Sequence, residues 1–129
     1  MDKTSGQHIL ADFYKCQCDI EWLTSIDKIK DILWDKIKEN NLTPLTEAYH
    51  IFNLGSDGTA YSLTIILEES HLNLHTFPEE QFISMDCYTC NYSRDNTEAT
   101  ENIYEFLKSI FKPKKVDYKF IERGRISEQ

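Results

Sequence analysis

The chain has 129 residues, 40% hydrophobic and 12% aromatic, with a formal net charge of −8; that is enough for one core, and the expectation is a single domain over 1–129. Its 14 Lys and Arg stand against 22 Asp and Glu and form no long basic run, which argues against nucleic acid as a partner, because such binding rests on cations facing phosphates. No apolar run approaches the ~20 residues of a membrane span, and the opening Met1-Asp2-Lys3-Thr4-Ser5-Gly6 lacks the charged-then-apolar design of a signal peptide, so the expectation is a cytoplasmic protein with no membrane partner, whose cysteines stay reduced.

In chain order, Gln7 to Cys16 is rich in Ile, Leu, Phe and Tyr and predicts a first strand. Ser25 then offers an N-cap, and Ile26, Ile29, Leu33 and Ile37 follow at helical spacing, so an amphipathic helix is expected to about Glu39, ended by Asn40-Asn41 and Pro44. Thr46 to Leu54 reads as a second strand and Gly55-Ser56-Asp57-Gly58 as a turn. Thr59 to Leu67 is a third, β-rich strand. Ser70 to Phe77 is extended again, Pro78-Glu79-Glu80 turns the chain, and Gln81 to Cys90 returns. A polar stretch from Asn91 to Asn96 leads into a second helix carried by Ile103, Phe106, Leu107 and Ile110. Pro113 ends it, Lys115 to Ile121 makes a last strand, and Arg123-Gly124-Arg125 opens a polar tail.

The order β-α-β-β-β-β-α-β, with short turns between successive strands, implies antiparallel pairing. Two amphipathic helices need an apolar surface to cover, and one sheet face supplies it. The expected fold class is therefore α+β, a two-layer sandwich of an antiparallel sheet with both helices on one face.

Three constellations carry chemistry. Cys16-Gln17-Cys18 and Cys87-Tyr88-Thr89-Cys90 raise a four-thiolate zinc site, but each pair belongs to a strand, where Cys87 and Cys90 point to opposite faces; the default for each is a small buried apolar residue. Ser70, His75 and Cys90 form the second. Taken singly, Ser70 is a turn serine and His75 a strand histidine, and no Gly-x-Ser-x-Gly elbow supports a hydrolase. Register is the third clue. A tight turn over Pro78–Gln81 sets Ser70 opposite Thr89, beside Cys90, while a turn centred on Glu68-Glu69 sets Ser62 opposite His75. The second pair then lies about 16 Å along the strand from Ser70, at ~3.3 Å per residue. The two idealised hairpins do not place all four groups together, so either the Glu69-Ser70 segment folds back in a loop or the registers differ.

The segment Glu69-Ser70-His71-Leu72-Asn73-Leu74-His75-Thr76-Phe77-Pro78-Glu79 resembles the signature of the small prokaryotic S-adenosylmethionine decarboxylases, which are pyruvoyl enzymes. The spacing to Thr89-Cys90, the opening Gly6 to Tyr14, the His50-Ile51-Phe52 strand and the ending Glu122 to Arg125 agree with it, so the resemblance runs from about residue 6 to 125. It implies that Ser70 is the precursor of a pyruvoyl group, the cofactor, made by cutting the chain at Glu69–Ser70 into a 1–69 β chain and a 70–129 α chain. It further implies His75 as the base that removes the α-proton during cleavage and Ser62 as the serine that assists. Cys90 becomes the acid that protonates the substrate carbon after carbon dioxide leaves, and Glu79 the carboxylate that binds the ribose. Phe52 is the candidate aromatic against adenine. Metal plays no part in this reading. The substrate is S-adenosylmethionine, bound to the pyruvoyl carbonyl as a Schiff base, and its decarboxylation gives the aminopropyl donor for spermidine synthesis by a homodimer of processed units. Within the same resemblance, ornithine or arginine is the alternative substrate, and an unprocessed, non-catalytic homologue is the alternative from another class. The sequence departs from the family pattern in the longer Gly55–Gly58 loop, in Phe77 where Trp is common, in Glu80-Gln81-Phe82 where a Tyr-Gly-Tyr-like step is common, and in Asn91 where Gly is common.

Overall fold

The computed structural model describes residues 2–127; residues 1, 128 and 129, the ends of the expected 1–129 domain, lie outside the described residues. Six strands form one sheet in the order β2-β3-β4-β5-β1-β6: β1 Asp2–Cys16, β2 Pro44–Asn53, β3 Thr59–Leu67, β4 Ser70–Phe77, β5 Phe82–Cys90 and β6 Pro113–Ser127. All neighbours are antiparallel. The helices are α1 Glu21–Thr24, α2 Ile26–Glu39 and α3 Thr97–Phe111, packed on one face of the sheet as the α+β expectation requires.

Alternation within the strands builds this two-layer arrangement. In β4, Ser70, Leu72, Leu74 and Thr76 are buried beneath the helices while His71, Asn73 and His75 face the other way; in β5, Ile83, Met85, Cys87 and Thr89 are buried. The helices answer with Ile26, Ile29, Leu33 and Ile37 from α2, and with Ile103, Leu107 and Phe111 from α3. Each such side chain contributes roughly 1.5–3 kcal/mol by leaving water.

Three differences from the expected elements exceed two residues. A one-turn helix, α1, stands where no element was expected; it forms because Leu23 is buried and Tyr61 Oη and Thr59 Oγ1 donate to the Trp22 and Thr24 carbonyls at 2.7 and 2.9 Å, contacts that local periodicity does not encode. β1 begins at Asp2 rather than Gln7, and β6 runs through Arg123–Arg125 to Ser127 instead of giving way to a polar tail. These two extensions pair with each other. Gly124 permits that pairing: it sits at φ +63°, and a Cβ there would collide with the Ser5 side chain, so only glycine fits.

The opposite face of the sheet carries no helix. It presents His8 on β1, His50 and Phe52 on β2, Ser62 and Ile66 on β3, His71, Asn73, His75 and Phe77 on β4, Asp86, Tyr88 and Cys90 on β5, and Ile121 on β6. Phe52, Ile66, Phe77 and Ile121 are each more than two-fifths exposed there.

Candidate active site

The functional candidates fall at two ends of the strands, most of them on this open face and Ser70 on the helix-covered one. At one end the β3–β4 hairpin turns through Glu68 and Glu69. Glu69 holds a left-handed backbone, φ +59°, an uncommon conformation for a residue with a side chain. Ser70 follows as the first residue of β4 and is 8% exposed. Its Oγ accepts the Cys90 backbone N–H at 3.1 Å. The Cys90 thiol donates to the Glu69 carboxylate at 3.6 Å, and its Sγ accepts the Tyr92 N–H at 3.3 Å. Glu69, Ser70 and Cys90 are thus brought together, beside a cleft of about 320 Å³ lined by Glu68, Glu69, Cys90, Tyr92, Arg94 and Asn96 among others.

At the other end, Ser62 lies opposite His75, and Ser62 Oγ and His75 Nδ1 share a hydrogen bond of 2.8 Å. His50 pairs with Ser62 across β2–β3 and meets Phe52 edge to face with ring centroids 4.6 Å apart. Phe52 is 44% exposed. Glu79 lies exposed in the Pro78–Glu80 turn beyond His75, and the Gly55–Asp57 turn follows β2 at the same end.

Both hairpin registers read from the sequence are present: Ser62 opposite His75, and His71 opposite Tyr88 in the frame that sets Ser70 beside Cys90. The Glu69-Ser70 segment does not fold back. Within one chain the Ser62–His75 pair therefore stays five residues along β4 from Ser70, about 16 Å, far beyond hydrogen-bond reach.

The four thiols differ by environment. Burial pushes Cys87 and Cys16 up to about 12 from an ordinary 9.0, so both stay protonated and inert; Cys90, on the opposite face from Cys87, is half-buried. Among the described residues, one group of His, Cys, Asp and Glu has metal-holding proximity: His8, His71 and Asp86 on the open face, with ligand atoms within 4.8 Å of one another. Its hydrogen bonds are already committed. Arg123 donates to His8 Nδ1 at 3.0 Å; arginine has only donors, so His8 carries its proton on Nε2, which donates to Asp86 at 2.8 Å. His71 Nε2 is 3.3 Å from the same carboxylate oxygen, and Asn73 Nδ2 donates to Asp86. The three side chains form a hydrogen-bonded network around the Asp86 carboxylate, tied to β6 through Arg123.

Sequence reasoning missed this network and also the grip on Cys90 from the polar stretch. Asn96 Nδ2 donates to the Cys90 carbonyl at 2.7 Å, and Asn91 exchanges hydrogen bonds with Gln7. Asn, Gln and Ser in a connecting segment read as solvated turn residues, and only the tertiary contact distinguishes them.

Comparison with known proteins gives the family of the chain and a solved structure with its fold. The sequence profile described as S-adenosylmethionine decarboxylase matches residues 7–124. Among curated relatives, the S-adenosylmethionine decarboxylase proenzyme of Sulfurihydrogenibium sp. is 38% identical over 96% of this chain and 86% of its own length, and that of Persephonella marina is 35% identical over 98% and 87%. Among solved structures, the adenosylmethionine decarboxylase of Aquifex aeolicus superposes with a TM-score of 0.83 at 28% identity, covering 98% of this chain and 97% of the other. The chain belongs to the S-adenosylmethionine decarboxylase family.

Proposed function

We propose that this chain is a proenzyme that cuts itself at Glu69–Ser70 and then decarboxylates S-adenosylmethionine. The observation that carries the reading is the Ser70 hydroxyl next to a left-handed Glu69, hydrogen-bonded to the Cys90 backbone. Ser70 Oγ attacks the Glu69 carbonyl carbon; the C–N bond breaks as the ester C–O bond forms, freeing the Ser70 amine. His75 removes the Ser70 α-proton and the ester C–O bond at Cβ breaks, releasing Glu69 as the carboxylate end of chain 1–69. Water then replaces nitrogen at residue 70, ammonia departs, and chain 70–129 begins with a pyruvoyl group. Ser62, bonded to His75, orients that base.

The residues present suit such a group: the Ser70 position is sheltered, adjoins a cleft and follows Glu69, whose carboxylate accepts the Cys90 thiol. When formed, the group supplies an electron-accepting carbonyl for the substrate amine, the service that pyridoxal phosphate provides elsewhere. The chain's own residues do the rest. Cys90 delivers a proton to the substrate carbon that loses carbon dioxide, and the position of its thiol decides which carbon receives it. Phe52 offers a ring face to adenine, and Glu79 accepts from ribose hydroxyls.

The working unit is a homodimer. Ser62, His75, Phe52 and Glu79 gather at one end of the open face; Cys90 lies at the other end, with the Glu69 turn and the inward-facing Ser70 beside it. A twofold axis between two such faces, running across the strands, sets the His75 end of one copy over the Ser70 end of its partner. Stacked sheets lie about 10 Å apart, and an isologous contact makes both sites alike. The exposed Phe52, Ile66, Phe77 and Ile121 lose water in that contact. The enzyme is placed in the cytoplasm, where its free thiols stay reduced.

Denaturing mass spectrometry of the purified protein, followed by carbon dioxide release from carboxyl-labelled S-adenosylmethionine, ornithine and arginine, tests the reading. Two fragments meeting at 69/70, the second without its serine amine, and release from S-adenosylmethionine are expected. A persistent full-length chain would make this a non-catalytic homologue, and release from ornithine or arginine alone would reassign the substrate.

A further inference from the structure

The start of α3 breaks a local rule. Asn96 occupies the N-cap position, where an Asn side-chain oxygen ordinarily accepts a backbone N–H of the first turn and stabilises the helix. Here the side chain makes no such cap. Nδ2 donates instead to the Cys90 carbonyl at 2.7 Å, and Oδ1 is buried with no hydrogen-bond partner. Asn96 is itself 8% exposed. The residue thus forgoes a stabilising cap and leaves an acceptor unsatisfied, and both are destabilising. Such violations are expected where geometry serves function.

The surrounding bonds explain what is gained. Cys90 is the last residue of β5 and pairs with Gly6 at the end of the β1–β5 ladder. Past that point the chain direction depends on side chains. Asn91 Oδ1 accepts from Gln7 Nε2 at 3.0 Å and from the Asn96 N–H at 2.9 Å, Asn91 Nδ2 donates to Gln7 Oε1 at 2.8 Å, and the Asn91 N–H donates to the Ser5 carbonyl at 2.7 Å. Thr100 Oγ1 holds the Asn96 carbonyl at 2.7 Å. Turning the peptide after Cys90 would carry the Tyr92 N–H away from Sγ and the thiol away from Glu69. The Asn96 amide restrains that peptide at its carbonyl, as the Ser5 carbonyl does at its N–H, and it is the side-chain restraint of the two.

We propose that Asn96 is a positioning residue for Cys90: its amide fixes the Cys90 carbonyl, and with it the direction in which the thiol points toward the Glu69–Ser70 turn. The inference rests on the reading of Cys90 as the proton donor. Misplacing a catalytic group by about 1 Å costs roughly a hundredfold in rate.

Asn96→Asp separates positioning from folding. Aspartate caps helices as well as asparagine does and favours a helix N-terminus electrostatically, but an ionised carboxylate has no proton to give the Cys90 carbonyl. Asn96→Ser, also a good cap and too short to replace the amide, serves as the second variant. Both are compared with the parent and Cys90→Ala for self-cleavage, thermal midpoint, kcat, KM and the alkylation rate of Cys90 by iodoacetamide, read by peptide mass. The expected result is complete cleavage, an unchanged or raised midpoint, an unchanged KM, a kcat reduced by about tenfold or more, and a Cys90 alkylation rate changed about threefold or more. Parental kcat and parental alkylation in both variants overturn the inference, as does a kcat loss matched by a lowered midpoint, which marks a structural role alone. If Cys90→Ala keeps parental kcat, the proton-donor reading fails by itself, and the alkylation rate still decides whether Asn96 positions the thiol.

Discussion

Complementation between two inactive chains is the sharpest test of the divided site. Ser70→Ala removes the hydroxyl that would attack Glu69, and His75→Ala removes the base. With about 16 Å between the two groups in one chain and a reach of about 3 Å for proton transfer, His75 cannot serve the Ser70 of its own chain. In a twofold dimer it serves the partner's. Each variant alone should stay uncut. Co-expressed one to one with different tags, the two assort into about half mixed dimers. In each mixed dimer the His75→Ala chain retains Ser70 and faces an intact His75 contributed by its partner, so that chain is cut. About half of all His75→Ala chains should therefore be cleaved, and no Ser70→Ala chain. One of the two sites in each mixed dimer then works, about a quarter of all sites.

Denaturing mass spectrometry resolves the tagged fragments and counts cleaved chains without reference to turnover. Uncut His75→Ala chains in demonstrably mixed dimers would refute the division of the site between copies. Self-cleavage of His75→Ala alone would remove His75 from the processing role. Either result is independent of what the mature enzyme decarboxylates.

Two further outcomes follow from particular side chains. Phe52→Ala should raise KM for S-adenosylmethionine about tenfold, since stacking of an aromatic on a base contributes roughly 1–3 kcal/mol, while self-cleavage proceeds to completion; unchanged KM would take Phe52 out of the substrate site. Burial pushes the Cys87 thiol up to about 12 from 9.0, so between those values the folded chain keeps a proton that the unfolded chain has lost, and the contribution is fully present below about pH 9. Unfolding free energy should then fall as pH rises above about 9, by up to about 1.4 kcal/mol per pH unit from this thiol. Urea titrations of the parent and Cys87→Ala should show the gap between them narrowing over that range, and a constant gap would refute the assignment.

How much of this was legible in the sequence depended on whether the deciding interaction was local. The β3–β4–β5 meander was legible in its register, because period-two burial and two short turns fix it: slipping β4 by one would turn Leu72 and Leu74 out of the core and His71 and Asn73 into it. The α2 stripe of Ile26, Ile29, Leu33 and Ile37 was legible for the same reason at period 3.6. By contrast, α1 and the long β1–β6 pairing rest on contacts between distant segments, Thr24 with Thr59 and Ser5 with Gly124, and nothing within either segment announces them. The site divides in the same way. Ser62 opposite His75 and Ser70 beside Cys90 follow from register, whereas Asn96 reads only as the end of a polar stretch until its amide is found on the Cys90 carbonyl.

The separation of the two pairs, which looked like a conflict within the registers, then becomes informative. Both registers stand, the turn at Glu69 is tight, and neither pair can move along β4 without inverting the burial of the whole strand. With the roles proposed above, the constraint that fixes the fold is therefore the one that would keep a single chain from completing the site. A family member with this sheet needs either a second copy or a second role for His75, and counting cleaved His75→Ala chains distinguishes the two.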